Sequence, residues 1–202
     1  CILVLKKNGF KKILYFDMDA HYGDGVVDAF KTDPNVLTIS IHQEDLWPRT
    51  GAHLFDKRFN TKNLPVKRGF NDKDFHKLFT NNNILSSIYK FNPEIALLQM
   101  GADCLKEDYM SKLELSNNAM WFTIKTIKNI IPKILLLGGG GYNPWITLRA
   151  WIYNLATLLD AQKNLHLSNE ALVFLKNIKW KIKPKDIWLN SIKDEPNFFK
   201  ML

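Results

Sequence analysis

Four short apolar runs stand out along the first two thirds of the chain. Hydrophobic residues follow one another almost without interruption in each run, whereas a strand with one solvated face would alternate apolar and polar positions. Continuous apolar runs of this length are typical of strands that are buried on both faces of a parallel sheet. The predicted strands are Lys12–Phe16, Val36–Ile41, Ile95–Met100 and Ile134–Leu137.

Three longer segments with helix signals lie between and after these runs. Asp72 and Ser116 are suitable capping residues near the start of the first two segments, and Pro144 precedes the third. The predicted helices are Phe70–Phe91, Ser116–Ile131 and Trp145–Leu159. The alternation of strands and helices predicts one α/β domain over residues 1–202 with a mainly parallel central sheet. The tail from about Trp180 is predicted to be irregular chain that wraps this domain.

Composition and charge exclude several classes of protein. No run approaches the roughly 20 apolar residues of a membrane-spanning helix, and two cysteines, Cys1 and Cys104, are too few for a disulfide framework. We therefore expect a reduced, cytoplasmic environment. The net charge is +8, but the lysines are scattered rather than interleaved with aromatic residues. A solvated basic surface is expected, with neither membrane binding nor direct nucleic-acid binding.

Acidic residues and a histidine directly follow the first predicted strand. Asp17, Asp19 and His21 alternate along the chain, so in extended conformation their side chains point to the same side. Two carboxylates beside an imidazole favour a cation between them. Acidic residues at a strand end also cap helices, however, with Asp24 and Gly25 supplying the turn. This pattern alone leaves a metal site and a capping role equally open.

Two further features follow later predicted strands. Asp103 comes after the third strand, where a turn or cap is the simpler interpretation of an isolated Asp. It would also be a third ligand beside Asp19 and His21, and three ligands with an open position are typical of catalytic zinc. Four glycines and Tyr142 follow the fourth strand. Because no Lys-Ser/Thr pair or G-x-G-x-x-G spacing is present, a phosphate-binding loop is disfavoured, and Tyr142 can present its hydroxyl to a substrate oxygen.

Together these motifs resemble the histone deacetylase-like family in order and spacing. The matching stretches are Tyr15–Val26, Leu37–His42, Gln99–Asp103 and Leu137–Tyr142. The stretches that resemble the bacterial acetoin-utilisation branch of this family are Leu46–Gly51, Leu115–Ala119 and Tyr142–Trp145. The resemblance runs from about Leu3 to Leu159. It implies a three-layer arginase/deacetylase-type α/β fold and a zinc-dependent amidohydrolase that removes acetyl groups from acetyl-lysine.

The resemblance also implies roles for individual residues. The implied ligands of zinc, with iron as the alternative metal in the cell, are Asp19, His21 and Asp103. Tyr142 is implied to polarise the scissile carbonyl. The implied structural potassium site consists of Asp17, Ser40 and the backbone carbonyls of Asp19, His21 and Ile41. The implied substrate-channel residues are Trp47, Met110, Gly140 and Gly141, and a simple core position is the alternative for Trp47.

The chain departs from the family pattern in its histidines. The family's paired histidines, which act as general base and acid, lie upstream of the segment that matches Cys1. No two histidines are adjacent here, and the position after His21 is Tyr22 instead of the usual second histidine. The single histidines besides His21 are His42, His53, His76 and His166. Because two carboxylates offset the charge of Zn²⁺, its bound water needs a separate base.

Three functions therefore stay open at this point. The first is hydrolysis of acetyl-lysine in proteins, and the second is deacetylation of an acetylpolyamine or another small amide. The third is an inactive metal-binding remnant of a split gene, which a separate N-terminal fragment would complete. Because the chain has no initiating Met, we expect it to begin partway through a longer protein, and the resemblance implies that it lacks the N-terminal catalytic segment.

Overall fold

The computed structural model describes residues 1–51, 60–81, 84–161 and 167–201. The strands in these residues are β1 (Ile13–Asp17), β2 (Val36–Gln43), β3 (Thr61–Val66), β4 (Ile95–Gln99) and β5 (Ile134–Leu137). All of them pair in parallel, in the order β3-β2-β1-β4-β5. The carboxyl ends of all five strands therefore lie at one edge of the sheet.

Helices connect and cover the strands of this sheet. They are α1 (Ile2–Lys7), α2 (Asp24–Phe30), α3 (Asp72–Asn81), α4 (Ile84–Phe91), α5 (Asn117–Ile130), α6 (Pro144–Leu158), α7 (Asn169–Asn177) and α8 (Asp186–Asn190). Short 3₁₀ turns are formed by Ala102–Cys104 and Phe198–Met201. No helix in the described part of the chain is long and apolar enough to cross a membrane.

The hydrophobic core lies on both faces of the sheet. Every residue of β1 and β2 is buried. Leu14 and Phe16 of β1 belong to the larger cluster, whereas Ile13 and Tyr15 belong to a smaller cluster on the other face. Because side chains alternate between faces along a strand, burial of both faces explains why the predicted strands are apolar at consecutive positions.

The predicted strands and fold class are confirmed, with shifts at some boundaries. The predicted Lys12–Phe16 starts and ends one residue later, and the predicted Val36–Ile41 continues to Gln43. Strand β3 was not predicted, because its sequence includes polar residues and Pro65. A proline in a strand is tolerated at the edge of a sheet, and β3 is the edge strand beside β2.

The helix predictions hold for two segments, and the third is helical wherever the structure describes it from Asp72 onward. The Ser116 side chain caps α5 by accepting a hydrogen bond from Asn118 N, and the Asn143 side chain caps α6, which has Pro144 in its first turn. Most of the predicted helix Phe70–Phe91 is helical, as α3 from Asp72 and as α4 to Phe91, whereas residues 82–83 between them lie outside the described residues.

The tail packs against the body of the protein, as predicted, but it is not entirely irregular. It contains α8, in which Trp188 and Leu189 are buried in the larger core cluster. Two side chains of α5 tie the tail down: Asn117 Nδ2 donates to Ile192 O at 2.7 Å and Asn118 Nδ2 donates to Asp194 O at 2.8 Å. Tertiary packing therefore stabilises a helix of five residues that would be marginal by itself.

Candidate metal centre

The carboxyl ends of β1 and β4 bring the candidate ligands together. These strands are neighbours, with Asp17 opposite Gln99 in the register, and Met18 N donates to Gln99 O at 3.0 Å. The chain after β1 carries Asp19 and His21, and the 3₁₀ turn after β4 carries Asp103. Parallel pairing therefore places three side chains from distant parts of the sequence at the same point of the sheet edge.

The imidazole of His21 lies between the two carboxylates. Its Nδ1 atom is 3.0 Å from Asp19 Oδ1 and 2.9 Å from Asp103 Oδ2. One ligand atom from each of the three side chains lies within 4.8 Å of the others. Asp103 is fully buried and Asp19 nearly so. The structure thus brings together the three side chains named as ligands, whereas the binding of a metal by them stays a prediction.

Hydrogen bonds hold both carboxylates in place. Asp19 Oδ2 accepts from Gly140 N at 2.8 Å and from Gln99 Nε2 at 3.1 Å. Asp103 Oδ1 accepts from Ala20 N at 2.8 Å. Each carboxylate therefore has one oxygen fixed by donors of the surrounding chain, and its other oxygen faces His21. Ordered partners of this kind orient ligands for a metal.

Two glycines allow the backbone to pass close to these carboxylates. A Cβ atom at Gly101 would overlap with the Asp19 side chain, and one at Gly140 would overlap with the Asp103 carboxylate. No side chain larger than hydrogen fits at either position while the carboxylates stay where they are. Close approach therefore explains these two glycines at the strand ends.

The charges of the centre are compatible with a cation. Burial, and then the charge of Asp19, raises the pKa of Asp103 to about 7. Although burial acts in the opposite direction, hydrogen bonds led by those from His21 hold the pKa of Asp19 well below its usual range. The bond to Asp19 raises the pKa of His21 to about 8, against the effect of burial. The centre thus retains a proton to offset its negative charge, and a divalent cation would offset the same charge.

Asp17 lies in the interior, as predicted for a structural residue, but with other partners. It is 2% exposed and stands opposite Ser40 in the register of β1 and β2. Its carboxylate accepts from Tyr15 Oη at 2.8 Å and from Asp19 N at 2.9 Å. Burial, and then the charge of Asp19, raises the pKa of Asp17 to about 8. The potassium site with Ser40 and Ile41 stays a prediction.

His42 occupies the interior beneath Tyr22. Its Nδ1 lies 3.1 Å from Ser40 Oγ, its ring centroid is 4.8 Å from that of Tyr22, and its Nε2 is buried with no partner in the described part of the structure. Burial lowers the pKa of His42 from 6.5 to about 4. His42 is therefore neutral at pH 7. Of the other single histidines, His76 lies on α3, and His53 and His166 lie outside the described residues.

Tyr142 stands on the glycine loop with its side chain 41% exposed. Its backbone N donates to Asp108 Oδ2 at 2.7 Å, and its ring centroid is 6.1 Å from that of Tyr109. Burial, and then the charges of Asp103 and Asp19, raises the pKa of the Tyr142 hydroxyl. The hydroxyl therefore keeps its proton and can act as a hydrogen-bond donor.

The residues named for the substrate channel lie at different depths. Trp47 is 73% exposed, so the alternative that it is a core residue is wrong. Met110 is partly exposed, Gly140 donates to Asp19 and Gly141 has a φ of +147°, which favours glycine. The channel role of all four stays a prediction.

Sequence reasoning missed two side chains that organise the centre. Asp108 accepts three backbone hydrogen bonds, from Tyr142 N, Asn143 N and Met110 N at 2.7 to 3.0 Å, and so joins the tyrosine loop to the Met110 loop. Gln99 donates to Asp19 and accepts from Gly101 N at 2.7 Å. A polar Gln closing an otherwise apolar strand was a usable signal, whereas no sequence pattern marked Asp108.

Comparisons with known proteins identify the family of this chain. A family model described as the histone deacetylase domain matches residues 1–158. Histone deacetylase 8 of Xenopus tropicalis is 33% identical over 165 residues, which cover 78% of this chain and 44% of that protein. Type-1 histone deacetylase 1 of Dictyostelium discoideum is 34% identical over 167 residues, which cover 80% of this chain and 33% of that protein. The chain belongs to the histone deacetylase family.

Solved structures agree with this assignment. The crystal structure of a histone deacetylase homologue from Aquifex aeolicus is similar with a TM-score of 0.78 at 35% identity, and that of a homologue complexed with SAHA has a TM-score of 0.79 at 34% identity. Each match covers 96% of this chain and 55% of the other. The expected arginase/deacetylase-type fold is confirmed, and the chain spans about half the length of these relatives or less.

The buried His42 should make the stability of the protein depend on pH. The unfolded chain binds a proton at His42 near pH 6.5 and the folded chain only near pH 4, so stability falls as the pH falls between these values. His42 contributes roughly 3 kcal/mol to this change in the free energy of unfolding. In His42→Phe this contribution to the pH dependence of stability should be missing. Urea unfolding at pH 7 and pH 4 measures the loss of stability in the unchanged protein and in the variant. An equal loss of stability in the two proteins would contradict a His42 that is buried and neutral.

Proposed function

We propose that this chain is the metal-binding part of a zinc-dependent amidohydrolase that removes acetyl groups from acetyl-lysine. The observation that carries the proposal is the convergence of Asp19, His21 and Asp103 within 4.8 Å at the carboxyl edge of the sheet. Ligands bind outside the carboxyl ends of the strands in open α/β sheets. Membership of the histone deacetylase family supports a deacetylase activity.

The donor set fits zinc. One imidazole nitrogen and two carboxylate oxygens are ordinary zinc ligands, and three protein ligands leave a position open for water or substrate. When bound there, zinc would polarise the acetyl carbonyl and make a water molecule more acidic. Iron in place of zinc, and potassium near Asp17, are further parts of the proposal.

Tyr142 supplies the oxyanion donor in this proposal. It keeps its proton because its pKa is raised, so its hydroxyl can donate to the carbonyl oxygen as negative charge develops there. The bonds from Tyr142 N and Asn143 N to Asp108 fix the backbone that carries the hydroxyl. A preorganised donor of this kind stabilises the transition state more than the ground state.

The proton transfers require a group beyond those that the centre contains. Asp19 and Asp103 are occupied as ligands, and His42 is buried, with a lowered pKa that makes it a weak base. No pair of adjacent histidines occurs in the 202 residues. We therefore propose that these residues alone turn over little substrate, and that a segment with the histidine pair completes the enzyme.

Acetyl-lysine is favoured over an acetylpolyamine as substrate by one observation. Met110, the residue proposed near the mouth of the channel, is partly exposed and uncharged, so it offers a cationic polyamine no attraction. An acetylated protein in the cytoplasm is the proposed partner. An acetylated small molecule, as the resemblance to the acetoin-utilisation branch would allow, is the second candidate.

Zinc binding tests the proposed ligands directly. The chain should bind one zinc ion, and Asp103→Asn should weaken binding by more than about 100-fold, since loss of a mere outer partner already costs 10- to 100-fold. Competition with a chromogenic chelator measures the affinity. Asp28→Asn is the control, because Asp28 is an exposed residue of α2 with a side chain 71% exposed. Equal zinc affinity in both variants would contradict the site.

Activity should depend on a second polypeptide and on Tyr142. The chain alone should hydrolyse an acetyl-lysine peptide about 10²–10⁴-fold more slowly than the chain supplied with the family's histidine-pair segment, because it lacks the base. In the completed enzyme, Tyr142→Phe should cost about 10²–10³ in kcat.

Tyr109→Phe is the matched control for this assay, because Tyr109 is a neighbouring exposed tyrosine. It should leave kcat nearly unchanged. Rapid turnover by the 202 residues alone would show that another base serves the site. If the completed protein binds zinc and the peptide but hydrolyses nothing, the chain is an inactive remnant.

A further inference from the structure

The chain between α7 and α8 carries a dense run of lysines. Residues 176–185 include five lysines and no acidic residue. Lys185 Nζ lies 2.5 Å from Glu107 Oε1, so its charge is offset. The lysines that are exposed and take part in no ion pair within the described residues are Lys176, Lys179, Lys181 and Lys183. Four positive charges are therefore concentrated in one short stretch of the surface.

Large apolar side chains are exposed in the same stretch. They are Val173, Phe174, Ile178 and Trp180, which are 38–67% exposed. Single exposed apolar residues are normal on a protein surface, whereas a group of them marks an interaction site. We call these four side chains, together with the four exposed lysines, the basic tail surface.

The basic tail surface is carried by chain that is fixed to the body of the protein. Leu172, Leu175 and Ile182 pack against the larger core cluster. The backbone is also held, because Trp145 Nε1 donates to Ile182 O at 2.7 Å. The surface is therefore preformed, and a partner that binds it does not have to order the chain first.

We propose that the basic tail surface binds the anionic face of a lipid membrane. The lysines supply the attraction, because clusters of about four to eight basic residues bind anionic headgroups. Phe174 and Trp180 are side chains of the kind that lie at the level of the headgroups, and long lysine side chains reach the phosphate groups around them. The protein is then held at the membrane surface by residues beyond the segment 1–158 that matches the histone deacetylase domain.

This interaction departs from the expectation that the basic residues form a solvated surface without membrane binding. That expectation followed from the scatter of lysines over the whole chain. In the tail, Lys179 and Lys181 flank Trp180 directly, and all three side chains are exposed. The local arrangement of charge and apolar surface, rather than the composition of the chain, therefore supports a membrane as the partner.

Other partners fit the basic tail surface less well. Single-stranded nucleic acid would stack on Phe174 and Trp180, but Val173 and Ile178 offer no aromatic face to a base. The chain also has no arginine after Arg149, although arginine is the side chain best suited to the phosphates of nucleic acids. A protein partner is disfavoured because lysine is depleted at the centres of protein interfaces. Aliphatic side chains, tryptophan and lysine together are typical of segments that lie in the membrane interface.

Sedimentation with lipid vesicles tests this proposal. The chain should bind vesicles that contain phosphatidylglycerol roughly tenfold or more tightly than vesicles of phosphatidylcholine alone, because only the former are anionic. Lys179→Gln combined with Lys181→Gln should weaken binding about 30-fold, since each lysine near an anionic membrane contributes about fivefold. Quenching of tryptophan fluorescence by brominated lipid should decrease in Trp180→Phe, because Trp180 lies among the headgroups.

The control removes the same two charges from the opposite side of the sheet. Lys7 and Lys11 are exposed, and they lie beside the smaller core cluster, whereas the tail packs against the larger one. Lys7→Gln combined with Lys11→Gln should bind the anionic vesicles nearly as the unchanged chain does. Circular dichroism and zinc binding show that each variant is folded.

Several outcomes would overturn the proposal. They are equal binding to the two kinds of vesicle, an equal loss of binding in the control and the tail variants, and binding of a single-stranded oligothymidine without binding of vesicles. A homodimer that the tail variant dissociates would also overturn it. The measurement is repeated with the chain completed by the histidine-pair segment. Binding should persist there, and its loss would show that the added segment covers the basic tail surface.

Discussion

Two carboxylates, Asp19 and Asp103, are held against the same imidazole in the interior of the protein, at the edge of a parallel sheet. Negative charge is costly to bury unless hydrogen bonds and an opposite charge offset it. The surrounding chain provides the hydrogen bonds through Gln99, Gly140 and the backbone at Ala20. The opposite charge comes from a proton in the shared system or from a divalent cation. The remainder of the site is arranged around this requirement.

The order of strands makes the arrangement possible. Strand β1 lies beside β4, although about 80 residues separate the two in sequence. The chain segments that follow β1 and β4 therefore meet at the edge of the sheet. The glycine loop that follows β5, the strand next to β4, lies over them. Tyr142 stands on that loop beside the carboxylates. Asp108, which accepts three backbone hydrogen bonds, fixes the backbone that carries this tyrosine. The buried sheet thus positions polar side chains that lie outside its strands, in turns and loops.

Sequence reasoning succeeded where burial imposes a pattern. Strands buried on both faces must be apolar throughout, so β1, β2, β4 and β5 were predictable, and alternation in D-x-D-x-H already placed Asp19 and His21 on one side. It failed for β3, whose polar residues and Pro65 are acceptable only because it is an edge strand. It failed for α8, which tertiary contacts stabilise. Asp108 was not predictable, because its role depends on three backbone groups from two loops that only the fold brings together.

The central claim is that His21, Asp19 and Asp103 together hold one metal ion. X-ray absorption of the chain loaded with one equivalent of zinc tests it most directly, since it reports the ligand atoms. The account predicts nitrogen and oxygen neighbours at about 2.0–2.2 Å with the scattering pattern of a single imidazole. Cys104 adjoins Asp103, but burial raises the pKa of its thiol well above the ordinary value, so no sulfur ligand is expected. Sulfur at about 2.3 Å, or no imidazole at all, would contradict the account.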